Sequence, residues 1–254
     1  MYSSLSEYCS FQSTLKENFK DNHVLTAVSC FYTIKNKHNS KYLDWFKHTL
    51  AIQCPYVFFG TKESLDIIRP FRREHTTYIE CDIHEFETYQ YKDTIQSHPV
   101  HCPSKELNLI WNEKFFFMEK AQRLNPYQSD YFCWIDAGIC IYRDTPPPPI
   151  SFPSNKLMSL PMKLIVSTSD SEGFDKDKVI RDEYYHYISG TSYLLHTSLF
   201  PKVMKRWREL THYYLSKEDW KYTDQVIMTK MYYEQPDLFH ILSEGYGAIV
   251  SSLY

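Results

Sequence analysis

Residues 131–138 read Tyr131-Phe132-Cys133-Trp134-Ile135-Asp136-Ala137-Gly138. A strand with one wet face alternates apolar and polar side chains. The unbroken apolar run Tyr131 to Ile135 therefore predicts a strand covered on both faces, as in the middle of a helix-clad parallel sheet. The chain leaves that strand at an acid followed by two small residues. Upstream, Ser104 is placed to cap a helix running through Trp111, Phe115, Met118 and Leu124 to the stop at Asn125-Pro126. Further back, Val24 to Phe31 has strand composition, Tyr42 to Leu50 has helical spacing, and Pro55 precedes a second strand, Tyr56 to Gly60. This is a β-α-β unit. A short helix over Ser64 to Ile68 and a strand over Thr76 to Cys81 follow, and residues 87–104 read as a loop. Downstream, Pro146 to Pro149 form a stiff extended segment, and residues 170–183 read as a mobile charged loop. Strands over Tyr187 to Leu195 and Phe239 to Leu242 are separated by helices at about 198–215 and 224–233. The alternation predicts an α/β fold in one domain, 24–254, after a polar N-terminal extension, 1–23.

Composition narrows the function classes. The 254 residues are 43% apolar, enough for a core without metal or disulfide staples. Lys plus Arg is 28 against 31 for Asp plus Glu, a net charge of −3, which gives no general attraction to nucleic acid or an anionic membrane. The six glycines form no G-x-G-x-x-G, no P-loop and no G-x-S-x-G elbow. His84-Glu85 lacks the second histidine of a zincin helix, because position 88 is Thr88. The seven cysteines make no C-x-x-C pair and are odd in number, a poor zinc or disulfide framework that suggests a reducing compartment. The opening residues have no apolar signal region and no stretch reaches transmembrane length, so a soluble, cytoplasmic protein is expected.

In an open α/β sheet, ligands bind outside the carboxyl ends of the strands, which is where Asp136 falls. A carboxylate there suits Mg²⁺ or Mn²⁺, with Ala137 and Gly138 letting a phosphate approach closely. The alternative is an Asp-x-Gly turn with no ligand. The cluster His98, His101 and Cys102 offers zinc-type donors but no fourth ligand motif, and chance proximity in a loop is the better reading.

The segment ELNLIWNEKFFFMEKAQRLNPYQSDYFCWIDAGICI, Glu106 to Ile141, resembles the centre of the HtrL/YibB-type bacterial proteins. Ser189-Gly190-Thr191-Ser192, the helix carrying Trp207, and Tyr222-Thr223-Asp224-Gln225 agree with it, and the similarity runs over about residues 24–245. The resemblance implies a single GT-A-like, Rossmann-like domain with a mixed, mostly parallel sheet covered by helices. It places Asp136 where nucleotide-sugar-dependent glycosyltransferases carry the DXD metal site. The second acid of that motif is absent, since Gly138 stands in its place, and Thr191 stands where related sequences often carry a glycine. It further implies that Phe31 and Tyr32 face the nucleotide base, although at 17% aromatic content any strand end is apt to carry such a ring. Lys114 is expected at a phosphate or sugar, with Gly190 and Thr191 against a sugar ring. Asp224 is expected at the acceptor, orienting or deprotonating it; a helix cap is the plainer alternative.

The expected activity is that of a glycosyltransferase of the hexosyltransferase type, in polysaccharide or glycan biosynthesis. It would move a sugar from a nucleotide-diphosphate sugar to an acceptor hydroxyl on a glycan or small molecule, with Mn²⁺ or Mg²⁺ on Asp136. Two alternatives stand beside it: a non-catalytic nucleotide-sugar or carbohydrate-binding protein, and a sugar nucleotidyltransferase. The latter normally needs a glycine-rich loop that FYTIKNKHNSK, residues 31–41, lacks. All three readings require Asp136 to project into an open pocket at the rim.

Overall fold

The computed structural model describes residues 24–35, 38, 41–72, 74–169 and 172–254; the N-terminal extension lies outside them. The chain runs β1 (Leu25–Cys30), α1 (Tyr42–Thr49), β2 (Tyr56–Gly60), α2 (Lys62–Ile68), β3 (Thr76–Glu80), α3 (Lys105–Leu124), β4 (Tyr131–Ile135), β5 (Leu164–Thr168), α4 (Lys176–Ile180), β6 (Ile188–His196), α5 (Phe200–Leu215), α6 (Asp224–Glu234), β7 (Phe239–Glu244) and α7 (Ala248–Ser252). All seven strands lie in one sheet of order β3-β2-β1-β4-β6-β5-β7. β6 is antiparallel to β4 and β5, and the other pairings are parallel. The mixed, mostly parallel Rossmann-like α/β architecture is therefore the observed one.

β4 is the central strand, paired with β1 on one side and β6 on the other, and Phe132 to Ile135 are buried. That burial is why the run has no polar alternation. α3 covers one face. Ser104 caps it by accepting from the Leu107 amide at 3.1 Å, and Asn125 ends it in the left-handed region. Its Phe115 stacks on Tyr193 at 4.5 Å and its Phe117 on Phe59 at 4.6 Å, so one helix fastens β2 and β6 across the sheet.

Three details depart from the expected layout. Leu164–Thr168 is a fully buried strand between β6 and β7, a position the sequence reading left without an element. Residues 176–180 of the charged segment are helical, with Asp175 accepting from the amides of Asp177 and Lys178. The supposed loop 87–104 holds a 3-10 turn, Glu87–Tyr91, tied to α3 through the buried Glu113, which accepts from the amides of Glu87 and Thr88. The strand and the 3-10 turn are held by partners distant in sequence, which local periodicity does not register.

The strand order sets the site. Passing β1, β2, β3, the chain builds outward on one side, then returns to place β4 on the other side of β1. The carboxyl ends of β1 and β4 thus flank the point at which the order reverses, where such sheets leave a crevice. β6, being antiparallel, begins at this same rim: Ile135 pairs with Ser192, and the Asp136 amide donates to the Thr191 carbonyl at 3.0 Å.

Candidate functional site

Lys114 sits at the middle of α3, on the face laid over the sheet, and is 4% exposed. Its ammonium donates to the Gly190 carbonyl at 2.8 Å and is ion-paired with Asp136 Oδ1 at 3.1 Å and Asp224 Oδ2 at 3.0 Å. Burial alone would push this ammonium down, but Asp136 and Asp224 together outweigh it and hold it above the ordinary lysine range. Asp224 is raised from the usual carboxylate range by burial, which Lys114 only partly offsets and Asp136 reinforces.

Asp136 is the open member. Its side chain is 31% exposed, and Oδ1 also accepts from Trp134 Nε1 at 2.7 Å. Trp134 and Asp136 are two residues apart, so they point to the same side of the strand, beneath α3. Both described contacts fall on Oδ1. Cys30, at the end of β1, faces the same group: burial pushes its thiol up, and Lys114 and Asp136 are the next influences on it.

The two glycines have different work from that expected. A Cβ on Gly138 would meet Tyr42 and Trp45 of α1 at 2.9 Å, so the bare position seats aromatic rings rather than a phosphate. A Cβ on Gly190 would lie 2.5 Å from Asp224 Oδ2 and 2.7 Å from Gln225 Cγ, so Gly190 makes room for the acid, not for a sugar ring. The Gly190 amide donates to Gln225 Oε1. Thr191 remains half-exposed beside Asp136, its hydroxyl 2.9 Å from that of Ser189.

Tyr32 is a core residue. It is buried, donates its hydroxyl to the Cys81 carbonyl at 2.9 Å, and packs on Phe86 and Phe117, which removes it from any base-stacking role. Phe31 is half-buried against Tyr42 and Phe46. Asp224 reaches the site but not the solvent: its side chain is 3% exposed, too enclosed for a base that must touch an acceptor hydroxyl. Lys114 is likewise enclosed, with three oxygens of the chain around its ammonium.

Sequence reasoning missed Trp134, Gln225 and Arg143. Arg143 donates from Nε to the Gly138 carbonyl at 3.1 Å and lies 3.8 Å over the Trp45 ring, bringing a second cation to the Asp136 turn. For Trp134 the signal was available in the two-residue period of the strand; for Arg143 only the fold supplies it.

Asp136 stands partly exposed at the rim and is not walled off beneath packed side chains. None of the four cavities described includes Asp136; the largest, about 750 Å³, lies at the opposite end of the strands beside Leu25, Pro55 and His75. Among the described residues, the one trio of side chains placed to share a metal is Asp82, His84 and Glu85, all exposed; their closeness follows from a capping box in which Glu85 accepts from the Asp82 amide. His98 is occupied within its own turn, its Nδ1 facing the amides of Val100 and His101.

The molecule is thus a Rossmann-like α/β protein with a lysine-bridged pair of acids at the reversal point of its sheet. The chain belongs to the HtrL_YibB family: the family's model, described as "Bacterial protein of unknown function", matches residues 85–249, more than half of the chain. Lys114, Asp136 and Asp224 all fall within that match. No curated protein matches the chain. No helix among the described residues is long and apolar enough to cross a membrane.

Proposed function

We propose that the protein is a glycosyltransferase that binds a nucleotide-diphosphate sugar at the Asp136 turn and transfers the sugar to an acceptor hydroxyl. The observation that carries this reading is the placement of Asp136: one-third exposed, at the carboxyl end of the strand beside the reversal point, and fixed through Oδ1 by Trp134 and Lys114. A carboxylate so braced keeps one oxygen for a ligand. Mg²⁺ or Mn²⁺ fits that donor set, since such ions are held by one or two protein carboxylates with phosphates and water completing the shell. When bound, the cation would neutralise the departing diphosphate.

The remaining roles belong to the chain itself. Lys114 fixes the direction of Asp136, and Asp224 fixes Lys114, as positioning residues. Arg143 brings positive charge beside the turn for the diphosphate. The free thiols of Cys30, Cys54, Cys81, Cys102, Cys133 and Cys140 accord with a reducing, cytoplasmic setting.

A second reading, a nucleotide-sugar or carbohydrate-binding protein without turnover, is favoured by one observation: Asp224 is buried, and Gly138 replaces the second acid of the turn. Donor turnover with and without Mn²⁺ separates the two. The Asp136→Asn variant, which keeps the Trp134 contact, is expected to lose divalent-dependent release of nucleoside diphosphate by at least about 100-fold. Release undiminished in that variant overturns the assignment. Binding of nucleotide sugars without release supports the scaffold, and release of pyrophosphate would indicate a nucleotidyltransferase.

A further inference from the structure

Beyond Asp136 the rim continues along the β6, β5 and β7 side of the sheet, and ring side chains line it. Tyr184 and His186 precede β6, Ser169 follows β5 and Tyr246 follows β7, so all four arise at the same end as Asp136. The ring centroids of Tyr184 lie 4.7 Å from Trp220, 5.0 Å from His101 and 5.4 Å from His186. His101 is parallel to Trp220 within 8°. His186 Nδ1 is 3.3 Å from both the Tyr246 and the Ser169 hydroxyl oxygens. The strip is joined to the acid site at both ends. Cys140, four residues past Asp136, donates its thiol to the Tyr246 carbonyl at 2.9 Å, and Trp220 is four residues before Asp224. All five residues are half-buried, and His98 also packs against Trp220, with centroids 4.2 Å apart.

The charge around the strip selects its ligand. Asp136, Asp224 and Lys114 sum to −1 when ionised, and Lys221, next to Trp220 in the chain, is engaged with Asp182 at 3.1 Å and Asp219 at 3.0 Å. That balance favours a neutral ligand over an anionic one. A ligand with an apolar face and a periphery of hydroxyls matches half-exposed rings that carry imidazole nitrogens, phenol hydroxyls and an indole N–H. Sugar rings have that form.

We infer that His101, Trp220, Tyr184, His186 and Tyr246 form a subsite for the sugar rings of a neutral oligosaccharide acceptor, lying on the β6–β5–β7 side of Asp136 and opposite the β1 side. The assignment rests on the transferase reading and adds the class of acceptor to it. The donor then approaches over β1 and the acceptor over β6, and the two meet at the Asp136 carboxylate.

The test titrates the full chain with maltotriose, cellotriose and chitotriose, read by tryptophan fluorescence and saturation-transfer NMR, alongside a wild-type donor-turnover assay. At least one trisaccharide is expected to bind saturably at up to 10 mM, about tenfold more weakly after Trp220→Ala or Tyr184→Ala and within about threefold of wild type after Trp220→Phe. Trp220→Phe also keeps the test valid should Trp220→Ala fail to fold. No saturable binding of any of the three overturns the subsite, as does binding that both folded alanine variants leave unchanged, or binding of nucleosides in place of sugars. Sugar binding by a wild-type protein that turns over no donor sinks the transferase reading and leaves the subsite standing; donor turnover without sugar binding does the reverse.

Discussion

Replacing Lys114 with Met removes one ammonium and leaves three oxygens that faced it: Asp224 Oδ2, Asp136 Oδ1 and the Gly190 carbonyl. The methionine side chain fills nearly the same volume, so the packing loss is small. The main cost is electrostatic. Asp224 is 2% exposed, and breaking a buried pair by removing one partner costs about 3–5 kcal/mol because the other charge stays buried alone. That is a large share of a total stability of roughly 5–15 kcal/mol. The pH dependence gives the sharper check. Without Lys114, only the Gln225 amide still offsets the burial that already raises Asp224 above its usual 3.8, so its folded pKa rises further. A group whose folded pKa lies above its unfolded value contributes stability below the unfolded value and loses it as pH rises through the folded one. The penalty of Lys114→Met is therefore expected to be small near pH 4 and to grow toward pH 8. Adding Asp224→Asn should recover much of it at pH 8, since no charge is then stranded. Urea unfolding followed by circular dichroism at both pH values measures all of this. A penalty below about 1 kcal/mol at pH 8, or one equal at both pH values, refutes the view of Lys114 as the charged hub of the site.

Three further outcomes follow from the same geometry. Gly190→Ala sets a Cβ 2.5 Å from Asp224 Oδ2 and is expected to cost about 1–3 kcal/mol in urea unfolding and to lower donor turnover with it. Burial pushes the Glu113 carboxyl from 4.5 up to about 7 even against Lys120 and the Thr88 and Glu87 amides, so its contribution is complete below pH 4.5 and is lost as pH rises through 7; Glu113→Gln should flatten that part of the stability profile, read as Tm against pH. Asp182 runs the other way. Burial opposes its ionisation, yet Lys230, Tyr222 and Lys221 hold it down to about 2, so its contribution is present above 3.8 and fades toward pH 2, and Asp182→Asn should lower Tm at pH 7 but not at pH 2.

What the chain shows of itself before folding depends on how local the determining physics is. β4 and α3 were legible because both announce themselves within one element: an uninterrupted apolar run, and a capped helix ending at Asn125-Pro126. β5 was not, because Leu164–Thr168 is short and lies between proline-rich and charged stretches; its place between β6 and β7 is a tertiary fact. The same division holds at the site. Asp136 is readable from the strand that precedes it. That Lys114 joins it to Asp224 is not, since the three lie on α3, β4 and α6 and meet only when α3 crosses the sheet. The glycines misled for a related reason: a small residue signals close approach but not by what, and here the visitors are Trp45, Tyr42 and Asp224 rather than a ligand.

The missing second acid of the turn then has a structural explanation. Position 138 lies under Tyr42 and Trp45, so any side chain there would have to displace two rings at 2.9 Å, and Arg143 is spread across the same Trp45 ring while bound to the Gly138 carbonyl. A carboxylate at this position would give up that packing and also face Asp136 across two residues. The second acid comes instead from α6, enters behind Gly190, and is buried, where it touches the lysine rather than the ligand. This moves the acid's effect from direct contact to orientation: it holds Lys114, and Lys114 holds Oδ1 of Asp136. On the transferase reading proposed above, a turn with one acid predicts weak affinity for a free divalent ion, rising steeply once a diphosphate supplies further ligands, and titration of Mn²⁺ with and without a nucleoside diphosphate measures the difference.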